Sequence, residues 1–267
     1  MSGIFTTHLF DVVDICLYSV SFLFGLPLHS YIIWFIVKRT GSGIVSEFFF
    51  LSSSVCEISL CVKSLLMVFC HFLFFQFVMD SVLFLQGLAI TGRPLFQCLI
   101  CVERYLAVVH PVTFLKYKPL RYRLVCSAVA LLTVLGLSVL SFFFFRSSNI
   151  LFCTFFFLLP FLLFLSIQLF CCLAVLRALK QSGPGERARE REEKNHMKRR
   201  VFHLILIATV SMIITYVPYI VYGFFTLFSQ NNMRILWSFS FGCFVLGGFV
   251  QPVLYLRRTG KLFCVSL

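Results

Sequence analysis

Long apolar runs, separated by short charged or turn-forming stretches, fill almost the whole chain. A run of about 20 apolar residues can cross a bilayer as an α-helix, which rises about 1.5 Å per residue. As one helix the region 48–107 would be about 90 Å long, roughly twice the full thickness of a bilayer with its headgroups, so it predicts two helices with an outer turn near His71, Gln76 and Asp80. Seven spans are therefore predicted: one (15–37), two and three (within 48–107), four (124–145), five (150–176), six (201–228) and seven (235–256).

The composition agrees with this pattern. The 267 residues are 60% hydrophobic and only 12% charged, whereas soluble domains are about 25% charged and about 45–50% apolar. These values exclude soluble globular, disordered and disulfide-stapled secreted proteins. The predicted fold class is all-α, a polytopic seven-transmembrane helix bundle.

The basic residues orient the bundle. Of the 23 Lys and Arg residues, 19 fall in the first, third and fifth loops, the tail and the adjoining helix ends. Arg146 and Arg234 stand on the opposite side, so the positive-inside rule predicts an extracellular N-terminus and a cytosolic C-terminus. One domain (1–267) is expected, with an extracellular segment 1–14, a bundle 15–256 with a cytosolic loop 177–200, and a cytosolic tail 257–267. The basic residues behind the net charge of +13 thus serve to orient the helices in the lipid bilayer. Nucleic acid is therefore not expected as a partner.

Nothing in the sequence indicates an enzyme. The six histidines are scattered, without the spacing of metal ligands. No nucleophile elbow, zinc-protease helix or phosphate-binding loop is present. We therefore expect no catalytic residues, no metal site and no cofactor.

Three motifs carry a family resemblance. They are Glu103-Arg104-Tyr105 at the cytosolic end of span three, 216–219 (Tyr-Val-Pro-Tyr) in span six and 251–255 (Gln-Pro-Val-Leu-Tyr) in span seven. In their order and depth they resemble the Asp/Glu-Arg-Tyr, Trp-x-Pro-Tyr and Asn/Asp-Pro-x-x-Tyr motifs of rhodopsin-like (class A) G-protein-coupled receptors. The stretch 101–111 is most similar to the nucleotide-, lipid- and protease-responsive branch, with this chain as an orphan member.

The resemblance implies a plasma-membrane receptor that transmits binding of an extracellular ligand to a heterotrimeric G protein by moving spans five and six. In this family the acidic neighbour, here Glu103, holds Arg104 at rest, and the Arg contacts the G protein on activation. The residues implied for coupling and switching are Glu103, Arg104, Tyr105, Tyr216, Pro218, Pro252 and Tyr255.

The charged segment before span six gives further coupling candidates: Lys198, Arg199 and Arg200. The other interpretation of this segment is a solvated helix that touches anionic lipid. Lys198 is basic where many relatives hold an acid that locks the span-three Arg, so we expect raised basal activity. Pairs such as Glu190 and Lys194 favour a helix that runs into span six.

Several positions depart from the family pattern. His29, Leu131 and Met79 stand where the family has Asn, Trp and the Cys that anchors the outer-loop disulfide. The loop at 146–149 is too short to form the usual lid. Two alternatives therefore stay open: a receptor-fold protein that does not signal and acts as a decoy or a homo- or hetero-dimer partner, and a small transporter or channel.

Two charged residues lie at the same depth inside the bundle. Glu57 is about 15 Å along span two from Glu47, and Arg93 is about 16 Å along span three from Arg104. Glu57 falls where the family has its sodium-binding Asp. We expect an internal ion pair that replaces the sodium ion; the alternative is that one of the two faces a water cavity unpaired.

The outer half holds the ligand-pocket candidates: Lys63, Gln86, Tyr216, Tyr219, Tyr222 and Phe241. Lys63 lies about 24 Å from Glu47 and either faces a ligand cavity, where it binds an anionic group, or snorkels to the outer interface. Gln86 stands where amine receptors carry an Asp, so a biogenic amine is disfavoured. The aromatic lining suits a lipid-like or small acidic ligand, unless these rings serve only helix packing. Cys264 in the tail is either a palmitoylation site or an ordinary cysteine.

Overall fold

A computed structural model describes residues 2–38, 44–72, 76–117, 120–147, 150–180, 188–229 and 234–258. Every element within these ranges is helical. In chain order they are α1 (Ser2–Val20), a π-helical turn (Ser21–Gly25), α2 (Leu26–Lys38), α3 (Ile44–Phe72), α4 (Gln76–Val109), α5 (Pro111–Tyr117), α6 (Leu120–Arg146), α7 (Ile150–Lys180), α8 (Ala188–Ser229) and α9 (Arg234–Arg258).

Within the described ranges, seven helical runs are long and apolar enough to cross a membrane. Span one consists of α1, the π-helical turn and α2, and spans two to seven are α3, α4, α6, α7, α8 and α9. The break between spans two and three falls within the predicted region 71–80, since α3 ends at Phe72 and α4 begins at Gln76. The predicted all-α fold class and seven-helix bundle are confirmed.

Two helices begin 13 residues before their predicted spans, which start at 15 and 201. The helix of span six begins at Ala188, so the charged stretch continues into the membrane-spanning part as one helix, as the pair Glu190 and Lys194 favours. The first helix begins at Ser2, so residues 2–14 are helical and continuous with span one.

Span one contains a π-helical turn at Ser21–Gly25. Pro27 follows it and has no N–H to donate, so the regular hydrogen-bond ladder is disturbed at this point. The turn brings Gly25 against Cys61 of span two, where a Cβ atom on the glycine would lie 2.9 Å from the sulfur. Ser21 also hydrogen-bonds Cys61. The turn therefore fixes span one on span two.

Span three is the central helix of the bundle. It packs against spans two, four, five and six, and most of its side chains are buried, with Phe96 completely so. Spans four and five instead expose large apolar side chains around most of their surface. Such surfaces suit contact with lipid, which is as apolar as leucine.

Besides Pro27 in span one, four described spans contain a proline inside the helix: Pro94, Pro160, Pro218 and Pro252. Each removes the N–H that would bond the carbonyl four residues earlier. Inside a membrane such a carbonyl needs another donor. For Pro94 and Pro252 the carbonyls concerned belong to Ile90 and Gly248, and other spans provide their partners.

Candidate functional site

A buried ion pair joins spans two and three in the middle of the bundle. Arg93 Nε donates to one carboxylate oxygen of Glu57, and Nη2 donates to the other at 2.6 Å. The two residues are only 2% and 4% exposed. Two parallel hydrogen bonds of this kind are the strong geometry for an Arg–carboxylate pair.

Span seven completes the surroundings of the pair. The remaining guanidinium nitrogen, Nη1, donates to the carbonyl oxygen of Phe244 at 2.5 Å, and the Phe244 ring lies 3.9 Å from Cζ of Arg93. Gly248 lies one turn further along, and a Cβ atom there would stand 3.0 Å from both Arg93 Nη2 and Glu57 Oε2. A side chain at this position would require the ion pair to shift by a few tenths of an ångström.

His29 connects span one to the same centre. It is 3% exposed and hydrogen-bonds the backbone of Gly248, whose carbonyl Pro252 leaves without a helical donor. The ring also interacts electrostatically with Glu57 and Arg93. From the sequence, His29 was noted only as a departure from a family pattern. In span seven Pro252 follows Gly248 by four residues, and this spacing is the signal that could have identified Gly248 as the partner of His29.

Tyr216 links span six to span three. Its hydroxyl donates to the carbonyl oxygen of Ile90 at 3.0 Å, which is the carbonyl that Pro94 leaves without its helical donor. The buried ring packs against Phe161 and Phe244, with centroids 5.6 and 6.0 Å away. The residue at the position of the family's Trp is therefore a hydrogen-bonded bridge between two spans.

A second bridge between the same spans lies nearer the end of span three that carries Arg104. The Gln97 side-chain amide donates to the carbonyl oxygen of Ala208 in span six, and Gln97 is 3% exposed. Gln97 is seven residues before Arg104, or about 10 Å along the helix. Spans three and six are thus joined by side chains at two depths.

Arg104 borders a small cavity of about 40 Å³ at this end of the bundle. The cavity lies between spans two, three, six and seven, and its lining includes Phe50, Gln97, Arg104, Leu204, Gln251 and Leu254. The Arg therefore stands where movement of span six away from span three changes its surroundings directly.

The acidic residue beside Arg104 has an ion-pair partner on span four. The carboxylate of Glu103 lies 2.7 Å from the guanidinium of Arg123, and both side chains are about nine-tenths buried. Arg123 also lies 5.6 Å from the ring of Phe114 in α5. The resemblance implied that Glu103 holds Arg104. The ion pair with Arg123 also connects the Glu103-Arg104-Tyr105 motif to span four, and through Phe114 to α5.

The other two aromatic residues of the motifs also have defined partners. Tyr105 shares a 3.1 Å hydrogen bond with the His110 ring. Tyr255 is 1% exposed and donates its hydroxyl to the carboxylate of Glu47 in span two. Tyr255, which the resemblance implied for switching, is thus held on span two. Glu47 had served only as a depth marker in the sequence, and sequence reasoning missed its contact.

Lys63 lies inside the bundle, in the half of span two that is remote from Glu47. It is 3% exposed, and its ammonium lies 4.9 Å from the ring centre of Tyr18 and 4.5 Å from that of Phe241. The interpretation that Lys63 snorkels to the outer interface is therefore wrong. The ammonium is instead held between two aromatic faces, an arrangement that stabilises a desolvated cation.

The remaining pocket candidates divide into two groups. Tyr219 and Tyr222 both pack on Trp237, with ring centroids 5.7 and 5.4 Å away. Gln86 is 6% exposed on span three, and its side-chain oxygen has no hydrogen-bond partner in the described ranges. Among these candidates, Lys63 therefore contacts Phe241, whereas Tyr219 and Tyr222 contact Trp237.

The basic candidates before span six lie on the helical extension of that span. Arg199 and Arg200 are exposed. Lys198 lies in the same helix, while its side chain is outside the described part of the chain. Cys264 also falls outside the described residues.

One comparison with known proteins identifies a family. The family model described as 7 transmembrane receptor (rhodopsin family) matches residues 30–255, which is more than half of the chain. No curated protein matches the sequence significantly.

Proposed function

Because the chain belongs to the 7 transmembrane receptor (rhodopsin) family, we propose that it transmits binding of an extracellular ligand to a cytosolic heterotrimeric G protein. Members of this family are multi-pass plasma-membrane receptors that generally couple extracellular ligands to heterotrimeric G proteins. The seven spans and the motif residues of this chain fit that role.

The observation that carries the proposal is the position of Arg104. It borders the cavity between spans two, three, six and seven, while Gln97 and Tyr216 hold spans three and six together above it. When those two bridges open, span six can leave span three and expose Arg104 to a partner. A ligand favours that state only by binding it more tightly than the closed one.

The orientation of the receptor follows from its charges. The side that carries most of the Lys and Arg residues faces the cytosol, so the N-terminus is extracellular and the C-terminus cytosolic. Arg199 and Arg200, which are exposed, and Lys198 then extend span six towards the G protein. The same side chains also suit contact with anionic lipid headgroups.

The ligand enters from the outer half of the bundle. Lys63 provides a buried positive charge between aromatic rings, which supports a lipid-like or small acidic ligand. Such a ligand agrees with the resemblance to the nucleotide-, lipid- and protease-responsive branch. In the middle of the bundle the Arg93–Glu57 pair takes the place of a sodium ion.

The test is a G-protein activation assay on receptor delivered to the cell surface. We expect ligand-independent activation of at least one G-protein subtype, lost in Arg104→Ala and kept in Arg146→Ala. Arg146 is a suitable control because it forms an exposed ion pair with Asp80 at the other end of the bundle, and exposed pairs contribute little to stability.

Two outcomes would decide against this function. Surface delivery without any Arg104-dependent activation would favour a decoy or dimer partner, which the Met79 and short-loop departures also suggest. Flux of a solute across the membrane, independent of Arg104, would favour a small transporter or channel.

A further inference from the structure

Four buried side-chain oxygens in the outer half of the bundle have no hydrogen-bond partner among the described residues. They belong to four different spans: Asp14 Oδ1, Gln86 Oε1, Tyr219 OH and Ser238 Oγ. Buried polar atoms in folded proteins are almost always hydrogen-bonded, so each exception requires an explanation. Polar and ionisable side chains inside a membrane bundle are costly and commonly mark substrate or ion pathways.

Neighbouring residues of the same type show that these atoms are exceptions. Ser240 donates to the Leu236 carbonyl at 2.7 Å within its own helix, whereas the Ser238 hydroxyl on the same span has no hydrogen bond within the part of the chain that the structure describes. Tyr216 donates to the Ile90 carbonyl at 3.0 Å, whereas the Tyr219 hydroxyl has no hydrogen-bond partner among the described residues. The helices therefore satisfy equivalent hydroxyls elsewhere and leave these ones unpaired.

Two opposite charges share this part of the bundle without forming an ion pair. Lys63 is 3% exposed and lies between the rings of Tyr18 and Phe241. Asp14, one turn before Tyr18 on span one, interacts electrostatically with both Lys63 and Tyr219. In the described ranges the two charges do not come within ion-pair distance of each other.

We propose that these residues bind a small zwitterionic ligand with one acidic and one ammonium group, such as a free amino acid. We call these residues the outer polar site: Asp14, Tyr18, Lys63, Tyr219, Ser238 and Phe241. The acidic group of the ligand contacts Lys63, and the ammonium group of the ligand contacts Asp14. The hydroxyls of Tyr219 and Ser238 supply hydrogen bonds, and the rings of Tyr18 and Phe241 contact the apolar part.

The pairing of charges gives the site its selectivity. A ligand with only an acid would leave the Asp14 carboxylate unpaired, and one with only an ammonium would leave Lys63 unpaired. Leaving a buried group without its partner costs more binding free energy than a matched contact gains. The inference rests on the proposed receptor function, because it narrows that receptor's small acidic ligand to one that also carries an ammonium group.

The experiment measures binding to the purified full chain in lipid discs, without a G protein. The probes are the apolar L-amino acids from alanine to tryptophan, each with its N-acetyl and its carboxamide derivative. At least one amino acid should raise the temperature of thermal unfolding at millimolar concentration. Both of its derivatives should bind more weakly by about tenfold or more.

Matched variants locate the binding at the outer polar site. Lys63→Met and Asp14→Asn should each weaken binding of the amino acid by about tenfold or more, and Lys63→Arg should retain it. Ser238→Ala should weaken binding several-fold, while Ser240→Ala on the same span should leave it unchanged. The derivative series on the wild-type chain keeps the proposal testable even where Lys63→Met fails to fold.

Three results would overturn the proposal: no stabilisation by any amino acid, equal binding of the N-acetyl derivative, or binding that survives both Lys63→Met and Asp14→Asn. Failure of the receptor function would look different. In that case the amino acid would bind with the expected selectivity, and Arg104-dependent activation would be missing. Conversely, Arg104-dependent activation without amino-acid binding would refute this site alone.

Discussion

The hydroxyl of Tyr216 on span six donates to the carbonyl oxygen of Ile90 on span three, 3.0 Å away. Pro94 lies four residues after Ile90 inside the same helix, so this carbonyl has lost its helical donor. A proline in one span thus creates the acceptor that a tyrosine in another span uses. The bond must break when span six moves away.

Tyr216→Phe is expected to lower thermal stability by leaving the Ile90 carbonyl unpaired, which costs roughly 1–3 kcal/mol. In a Pro94→Ala background, a backbone N–H at position 94 can bond this carbonyl, so the same substitution should cost less. The measurement is the unfolding temperature of the four purified chains. Equal decreases in unfolding temperature in the two backgrounds would contradict the hydrogen bond assigned between Tyr216 and the Ile90 carbonyl.

The Arg93–Glu57 pair should show strong coupling in a double-mutant cycle. Glu57→Gln or Arg93→Gln alone leaves one buried charge without its partner, and such a change typically costs about 3–5 kcal/mol. The double variant should lose less stability than the two singles together. Purified chains compared by thermal unfolding give the answer, and strictly additive losses would exclude the coupling.

Because of the same ion pair, we expect the thermal stability of the wild-type chain to be insensitive to sodium. Because Arg93 neutralises the Glu57 carboxylate through two hydrogen bonds, replacing sodium by choline at constant ionic strength should not change the unfolding temperature. In Arg93→Ser the carboxylate loses that partner, and sodium should then stabilise the chain. A wild-type unfolding temperature that rises with sodium as steeply as that of Arg93→Ser would refute the replacement.

Gln97 should restrain basal signalling. Its bond to the Ala208 carbonyl joins spans three and six, and a hydrogen bond contributes about 0.5–1.5 kcal/mol. Gln97→Leu should therefore raise ligand-independent G-protein activation about 2- to 10-fold. Gln168→Leu on span five is the matched control, since the buried Gln168 amide has no hydrogen-bond partner in the described ranges. A similar rise in both variants would argue against the bridge.

Lys198 should raise basal activity through its charge. It lies in the helix that continues into span six and is basic where many relatives carry an acid that locks the span-three Arg. Lys198→Glu should lower ligand-independent activation at equal surface expression, while Lys194→Glu, one turn earlier, should change it less. No decrease in Lys198→Glu would count against this role.

Hydropathy and helix geometry were sufficient to predict the seven spans and the depth of the charged residues within them. Glu57 and Arg93 were placed at one level because the rise of a helix per residue is constant, and the two side chains are in contact. The helix that runs from the charged segment into span six followed from its i,i+4 pairs.

The sequence could not predict how each helix is rotated about its axis. For that reason Lys63 had two open interpretations, since depth is the same for a side chain that faces the bundle or the lipid. Contacts between distant segments were missed on the same ground, such as Tyr255 with Glu47 and Glu103 with Arg123. These contacts depend on how separate spans pack against one another.

Nucleotide exchange by a defined G protein tests the central claim most directly. The purified chain in lipid discs, mixed with each purified G-protein subtype, should accelerate exchange on at least one of them by about tenfold or more over the G protein alone. Arg104→Ala should abolish the acceleration, and Arg146→Ala should not. Exchange that stays at the rate of the G protein alone for every subtype, with folded receptor present, would contradict the account.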